Sequence, residues 1–212
     1  MSICPFCKEL EVNYFEFQNQ RYENRILFES ENFVVIPSLG QIIEGYLLIM
    51  PKKHYIGIGH LPKKLYPELE LICKKVKQVL KEVYGPSLIF EHGTVSEKKK
   101  GGCCISHAHF HVIPIQDEIF SEISRVFISS KIKTLSPLKE KFNKQQPYFF
   151  YQSNTDERYL FEIPDIVPSQ YIRKLIALKV GKENEWDWRV YPEINKLLKT
   201  IETLKGRFNL TK

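Results

Sequence analysis

Three histidines lie at every second position of one short segment, and they are the residues of this chain best suited to chemistry. His107, His109 and His111 alternate with apolar residues. Side chains at positions i, i+2 and i+4 of a strand point to one face, about 6.5–7 Å apart. The spacing therefore predicts a strand over residues 107–115 with three imidazoles on one surface. Neutral imidazole serves as a nucleophile, a base or a metal ligand, and a merely solvated strand is the plainer alternative.

A Cys-x-x-Cys pair, Cys4 and Cys7, is the second group with chemical potential. Two thiolates at this spacing can bind one tetrahedral Zn²⁺ at about 2.3 Å, and two further ligands are then required. The sequence has no second Cys-x-x-Cys, so histidines must complete such a site, with His60 and His92 as spare candidates. A redox dithiol, which lacks the βαβ pattern of thioredoxins, and plain reduced cysteines are the alternatives.

The elements that must position these groups are strands interrupted by one long helix. Alternating or apolar runs predict strands over residues 14–17, 22–28, 33–36, 46–50 and 87–91, besides the histidine strand. Apolar residues at helical spacing predict a helix over residues 62–84. This order predicts an α+β fold with an antiparallel sheet, and not a doubly wound parallel sheet.

The chain after residue 118 has a different pattern. It predicts helices over residues 119–133, 137–144, 170–180 and 193–204, and a hairpin of strands over 147–152 and 158–163. Because a two-stranded hairpin is marginal alone, we expect it to extend or cover the histidine sheet. We divide the chain into a catalytic domain over residues 1–117 and a C-terminal extension over 118–212.

The histidine segment resembles the histidine triad (HIT) superfamily of nucleotide hydrolases and transferases. The resemblance covers about residues 4–115 and includes the Gly101-Gly102 turn, the segment 29–37 and the segment 45–54. It implies a HIT-like antiparallel sheet with one long helix, on which the extension packs. It also implies an enzyme that acts on a nucleotide phosphate ester, anhydride or phosphoramidate through a covalent nucleotidyl-histidine intermediate.

The resemblance implies roles for individual residues as well. His109, the middle histidine, is implied as the nucleophile, and His111 as a contact of the transferred phosphate or an organiser of the site. Substrate contacts are implied for Ser38, Cys103 and Cys104, where the family commonly has Asp or Asn, Gln, and Ser or Thr. Thiols are weak hydrogen-bond donors, so leaving-group handling departs from the common pattern.

Family members with the same N-terminal cysteine pair complete a zinc site with two histidines. Those positions correspond here to His54 and His107, so the resemblance implies a structural Zn²⁺ bound by Cys4, Cys7, His54 and His107. Such an ion ties the N-terminus to the histidine strand and fixes His107 beside the nucleophile.

Two arginines of the extension are further candidates for phosphate contact. Arg173 and Arg189 lie in segments that resemble C-terminal segments found beside some HIT domains. A guanidinium can hold phosphate bidentately, whereas packing at the surface or at the rim of the core is the more frequent fate of such residues.

Composition bounds the class of protein. The 212 residues are 43% hydrophobic with a net charge of +6, which suits a globular core and does not favour nucleic acid as a partner. Five cysteines, an odd number, predict a reducing compartment. Without a long apolar run or a leader-like start, the sequence predicts a cytoplasmic protein with no membrane anchor. The three lysines at 98–100 either attract a polyanionic substrate or lie in a solvated loop.

Several alternatives to this hydrolase or nucleotidyltransferase stay open. They are a phosphorylase-like nucleotidyltransferase with an acceptor pocket built by the tail, a non-catalytic nucleotide- or RNA-binding module with structural zinc, and a metalloenzyme with the triad around a catalytic metal. The resemblance implies a homodimer through the long helix and the adjoining strand, but the apolar face of that helix fits ordinary core equally well. The predicted partner is a nucleotide-containing small molecule.

Overall fold

The computed structural model describes residues 4–209. In order, the elements are α1 (Pro5–Val12), β1 (Tyr14–Phe17), β2 (Gln20–Glu23), β3 (Phe28–Glu29), β4 (Phe33–Pro37), β5 (Leu47–Pro51), α2 (Tyr66–Val83), β6 (Ser87–Gly93), β7 (Phe110–Pro114), α3 (Phe120–Ser124), β8 (Ser129–Ile132), α4 (Ser136–Asn143), β9 (Tyr148–Gln152), β10 (Arg158–Glu162), α5 (Tyr171–Lys179) and α6 (Ile194–Leu204).

One antiparallel sheet of eight strands organises the molecule. Its order is β3-β4-β5-β7-β6-β9-β10-β8, while β1 and β2 form a separate hairpin. The histidine strand β7 lies inside the sheet, where His111 is opposite Leu48 of β5 and Phe90 of β6. The predicted α+β class, with an antiparallel sheet and one long helix, is confirmed.

Helix α2 covers one face of this sheet. Leu69, Val76 and Leu80 recur at helical spacing and are buried against strand residues such as Val112. The helix begins at Tyr66, later than predicted, because residues 63–65 form a 3₁₀ turn after Pro62. Burial of this stripe, at about 1.5–3 kcal/mol for each large side chain, fixes the helix on the sheet.

The opposite face of the sheet is covered by α1, α3 and α5. Phe6 of α1 and Ile172 and Ile176 of α5 pack there against Leu48 and Phe90. This second core includes residues from both ends of the chain, so the extension and the N-terminal helix together enclose the face that bears His111.

The predicted C-terminal hairpin extends the sheet. β9 pairs along β6, with Ile89 opposite Gln152, and β10 pairs with β9. Residues on both sides of position 118 therefore share one sheet, and the division after residue 117 stays a prediction. Because β9 occupies the edge of β6 that faces away from β7, a second copy cannot join the sheet there. The homodimer also stays a prediction.

Several predicted elements have the wrong extent. The helix over 119–133 ends at Ser124, because residues 129–132 pair with β10 as strand β8. The strand over 22–28 is interrupted where the side chain of Asn24 accepts a hydrogen bond from the Ile26 N–H, an alternative to the ladder. The helix α1 was not predicted, although Pro5 at its first turn is a common helix start.

The histidine strand is also shorter than predicted and begins at Phe110. Before it, the N–H of His107 donates to Ile105 O and that of Ala108 to Tyr55 O, so these residues leave the ladder. Only His111 of the three histidines is therefore a strand residue.

No helix within residues 4–209 is both long enough and apolar enough to cross a lipid bilayer.

Candidate active site and metal centre

Four side chains of metal-ligand type converge where the histidine segment meets α1. The donor atoms of Cys4, Cys7, His54 and His107 all lie within 4.8 Å of one another. His107 Nδ1 is 3.5 Å from Cys4 Sγ and 3.6 Å from Cys7 Sγ, and His54 Nδ1 is 3.4 Å from Cys7 Sγ. Two sulfur and two nitrogen donors form the set of a tetrahedral structural zinc site. The structure thus brings the four predicted ligands together as a cluster that could hold a metal.

The orientation of His107 fits metal binding. This ring is fully buried, and its Nε2–H donates to the carbonyl oxygen of Pro51 at 2.8 Å. A carbonyl oxygen only accepts, so the proton belongs on Nε2 and the lone pair of Nδ1 faces the two thiols. A ligand histidine that donates its other ring N–H to a backbone carbonyl is a common support of metal sites.

The Cys7 thiol of the cluster is protonated without a cation. Burial, and then the neighbouring Cys4, raise the pKa of Cys7 to about 11. A divalent ion reverses this preference, because coordinated thiols lose their protons and their negative charge neutralises the ion.

Helix α1 separates this cluster from a pocket on the other side of the segment. The Phe6 ring centroid lies 5.7 Å from those of both His107 and His109, in edge-to-face contact. The helix therefore positions Cys4 and Cys7 on one side of the histidine segment and an aromatic wall beside His109.

His109 has the geometry of a nucleophile. Its Nδ1–H donates to the His107 carbonyl oxygen at 2.6 Å, and no atom among the described residues hydrogen-bonds to Nε2. The ring is 8% exposed and lines the pocket. Burial, assisted by the positive charge of Arg173, lowers the pKa of His109 to about 4. Near neutral pH the Nε2 lone pair is therefore free.

His111 is oriented by Tyr46, the residue just before strand β5. The Tyr46 hydroxyl lies 2.9 Å from His111 Nδ1, and burial raises the pKa of Tyr46 to about 12. The neutral hydroxyl can donate to Nδ1, and in that arrangement the His111 imidazole carries its proton on Nε2. The ring stacks on Phe90 at 4.4 Å and meets His109 at 4.6 Å between centroids.

The pocket beside these histidines encloses about 520 Å³, including its open mouth. The three residues predicted to contact substrate all line it: Ser38, Cys103 and Cys104. Ser38 Oγ donates to Leu39 O at 2.9 Å. The roles of these three residues as substrate contacts stay predictions.

The two thiols of the pocket differ in their partners. Cys103 Sγ–H donates to Ile105 O at 3.0 Å, and burial raises the pKa of Cys103 to about 12. Cys104 Sγ lies 2.9 Å from Ser169 Oγ. The Cys103 proton is therefore directed at its own loop and away from a ligand.

Tyr46 was not predicted as a site residue, and the spare candidates His60 and His92 both lie outside the metal cluster. Tyr46 shares its face with Leu48 and Met50, so the period of two along this strand could have placed it beside the histidines. His92 lines the pocket rather than the metal cluster, and its Nε2 accepts a hydrogen bond from the Ile172 N–H at 3.3 Å. His60 stacks on Phe142, 4.7 Å between centroids.

The extension also contributes to the pocket. Gln170, Arg173 and Trp188 line it together with the triad residues. Arg189, the second predicted phosphate ligand, is instead exposed and forms a bidentate ion pair with Asp187 at 2.7 and 2.9 Å.

Comparison with known proteins gives the following matches. Residues 19–118 match the family model described as HIT domain. The chain is 21% identical over 140 residues to the bis(5'-adenosyl)-triphosphatase of Dictyostelium discoideum, covering 62% of this chain and 90% of the relative. It is 25% identical over 122 residues to an adenosine 5'-monophosphoramidase of Candida albicans, covering 54% and 72%. A HIT family protein from Bacillus anthracis aligns with a TM-score of 0.44 and 21% identity over 55% of this chain and 76% of that chain.

Proposed function

We propose that the chain, whose residues 19–118 match the family model described as HIT domain, is a nucleotide hydrolase or nucleotidyltransferase with His109 as its nucleophile. The observation that carries the proposal is the hydrogen bond from His109 Nδ1–H to the His107 carbonyl oxygen. It fixes the tautomer, so that Nε2 presents a lone pair to the pocket.

The first step joins Nε2 of His109 to the phosphorus of a nucleotide. The bond from phosphorus to the leaving group breaks, and the leaving group takes the electron pair. His111 Nε2–H is placed to donate to a phosphate oxygen on which negative charge grows. Water, or another acceptor, then attacks phosphorus, loses a proton and releases His109.

The thiols of the pocket favour some leaving groups over others. An amine needs a proton as it leaves, whereas a phosphate leaves as a stable anion. Because the Cys103 proton is directed at Ile105 O, this thiol is a poor general acid. The arrangement supports an anhydride, such as a dinucleoside polyphosphate, as a better substrate than a phosphoramidate.

We propose that the cluster of Cys4, Cys7, His54 and His107 holds a structural Zn²⁺. Four protein donors complete a tetrahedral site and leave no position for substrate, which is typical of structural and not catalytic zinc. When bound, the ion supplies a link between α1 and the segment that leads to His109. The chemistry above uses only side chains of the chain.

The experiment that tests the function is trapping of the covalent intermediate. The protein is incubated with diadenosine triphosphate labelled at the phosphorus next to adenosine, and the quenched protein is analysed for an acid-labile adenylyl adduct. We expect an adduct in the wild type, none in His109→Ala, and a wild-type level in the control His60→Ala.

Two results would contradict the proposal. One is an adduct that persists in His109→Ala. The other is tight nucleotide binding with neither adduct nor turnover in the wild type, which is the behaviour of a binding module.

An open groove beside the pocket favours a second candidate, transfer of the nucleotide to an acceptor other than water. The groove shares Phe6, Cys104 and Trp188 with the pocket, and the extension also lines it with Ser169. A phosphorylase-like enzyme needs such an acceptor site. Addition of inorganic phosphate during turnover distinguishes the two, since a transferase produces ADP and a hydrolase produces only AMP from the labelled half.

A further inference from the structure

We infer that Arg173, on helix α5 of the extension, binds the phosphate group of the nucleotide and provides the pocket with its preference for an anion. This inference rests on the proposed function and adds a binding residue from outside the HIT domain. Arg173 lines the pocket together with His109 and His111.

Arg173 is a buried cation that has no anionic partner in the described part of the chain. Its side chain is 2% exposed, and it forms no ion pair with any carboxylate among residues 4–209. Its hydrogen bonds go to two backbone carbonyls, from Nε to Trp186 O at 3.0 Å and from Nη2 to Gly40 O at 2.8 Å. A buried charge without a counter-charge is costly, and an anionic ligand removes that cost.

A second buried arginine in the same pocket provides the contrast. Arg25 is also 2% exposed, but Glu9 neutralises it through two bonds of 2.7 and 2.8 Å, and its third bond goes to Pro37 O. Arg25 therefore has no charge to offer a ligand. Of the two arginines that line the pocket, Arg173 alone retains one.

The surroundings hold the guanidinium close to the reactive imidazoles. Arg173 Cζ lies 5.1 Å from the centroid of the Tyr46 ring, whose hydroxyl contacts His111. The preceding residue, Ile172, donates its N–H to His92. This hydrogen bond ties the start of α5 to a pocket residue beside the guanidinium.

A glycine makes room for the guanidinium. At Gly40 the backbone has φ +67°, and a Cβ there would lie 2.6 Å from Arg173 Nη2. The loop that follows β4 thus approaches the guanidinium at a position where any side chain would displace it. A planar donor fork held in this way suits the oxygens of a phosphate.

The test compares the affinities of AMP and adenosine, which differ by the phosphate. In Arg173→Met we expect AMP to bind about 10- to 100-fold more weakly, while the affinity for adenosine stays within about twofold. Arg173→Lys retains the charge without the fork, and we expect an intermediate loss. Isothermal titration calorimetry measures both affinities for each of the three proteins.

The control is Arg158→Met, which removes a partly buried guanidinium that pairs with Glu70 away from the pocket. It reports the general cost of losing such a group, and we expect the wild-type ratio of AMP to adenosine affinity. If Arg173 only ties α5 to the loop at Gly40, its variants weaken both ligands alike or neither, and the inference is overturned.

Two measurements keep this result separate from the proposed function. His109→Ala should lose turnover yet keep the wild-type affinity ratio, whereas Arg173→Met should form the adduct at saturating nucleotide with a raised KM. Should the variants of Arg173 fail to fold, a crystal structure of the wild type with AMP decides: a phosphate without contact to Arg173 overturns the inference.

Discussion

The two sides of the histidine segment use the same imidazole in opposite ways. On the side of the cysteines, His107 donates from Nε2 to Pro51 O and presents Nδ1 to the thiols. On the side of the pocket, His109 donates from Nδ1 to His107 O and presents Nε2 to the pocket. A carbonyl oxygen of the backbone thus selects which nitrogen is free, and this supports the roles proposed for the two rings, metal ligand for His107 and nucleophile for His109.

The largest effect separates the two histidines directly. We expect His109→Ala to lower kcat by at least about 10³-fold, because no nearby group replaces the nucleophile, while the melting temperature changes little. His107→Ala should do the reverse and lower the melting temperature first. Thermal melts and steady-state kinetics on both proteins measure this. Equal thermal losses in the two variants would break the distinction.

Removal of the proposed metal, on the cysteine side of the histidine segment, should lower the stability of the fold. Cys7→Ser or a chelator should lower the melting temperature by about 10 °C or more, because metal binding and folding are coupled. Elemental analysis should find about one zinc per chain in the wild type and none in the variant. Cys104→Ser, on the pocket side, is the control that retains both the metal and the melting temperature.

A smaller effect tests the support of His111. Tyr46→Phe removes the hydroxyl that holds Nδ1 of His111, and we expect kcat to fall about 10- to 100-fold with little change in KM. Tyr66→Phe removes a hydroxyl bonded to Ile58 O on the other face of the sheet and is the matched control. A raised KM with an unchanged kcat would instead assign Tyr46 to substrate binding.

The smallest effect concerns a carboxyl on the face opposite His92. Glu91 accepts hydrogen bonds from the Ile58 N–H and the Tyr148 hydroxyl, and burial raises its pKa to about 8. The folded state therefore holds this proton more tightly than the unfolded state does. Its contribution to stability is complete below the unfolded pKa, about 4.3, and is lost as the pH rises through about 8.

Glu91→Gln should remove this dependence. Relative to the wild type, the variant should gain melting temperature between about pH 5 and about pH 9, by a few degrees. Melts with chelator present separate this dependence from that of the metal cluster. Parallel pH profiles for the two proteins would show that Glu91 does not titrate in this range.

Much of the site could be predicted from residue types and spacing. Alternating histidines and a Cys-x-x-Cys pair identified the segment, and helical periodicity identified α2. The choice of ring nitrogen could not be predicted, because it depends on the backbone carbonyls of Pro51 and His107. Every residue has such a carbonyl, so the sequence carries no signal for these two. The unpaired charge of Arg173 could not be predicted either, because only the tertiary structure decides that no carboxylate between residues 4 and 209 pairs with it.

Secondary structure failed where tertiary pairing overrode local preference. Residues 129–132 have no strong strand pattern, yet they pair with the outer edge of β10. Asn24 interrupts a run that otherwise reads as one strand, since its own side chain provides a competing partner for the backbone. Such local competition leaves only a weak trace in a hydrophobic pattern.

The pairing of β9 along β6 has a consequence for any shortened form of the chain. Without the extension, the five residues of β6 that pair with β9, positions 89–93, would present bare amide and carbonyl groups along a buried strand. An uncovered edge of that kind recruits other strands, and the truncated protein would be prone to self-association. The C-terminal extension thus protects the molecule from association through this edge of the sheet.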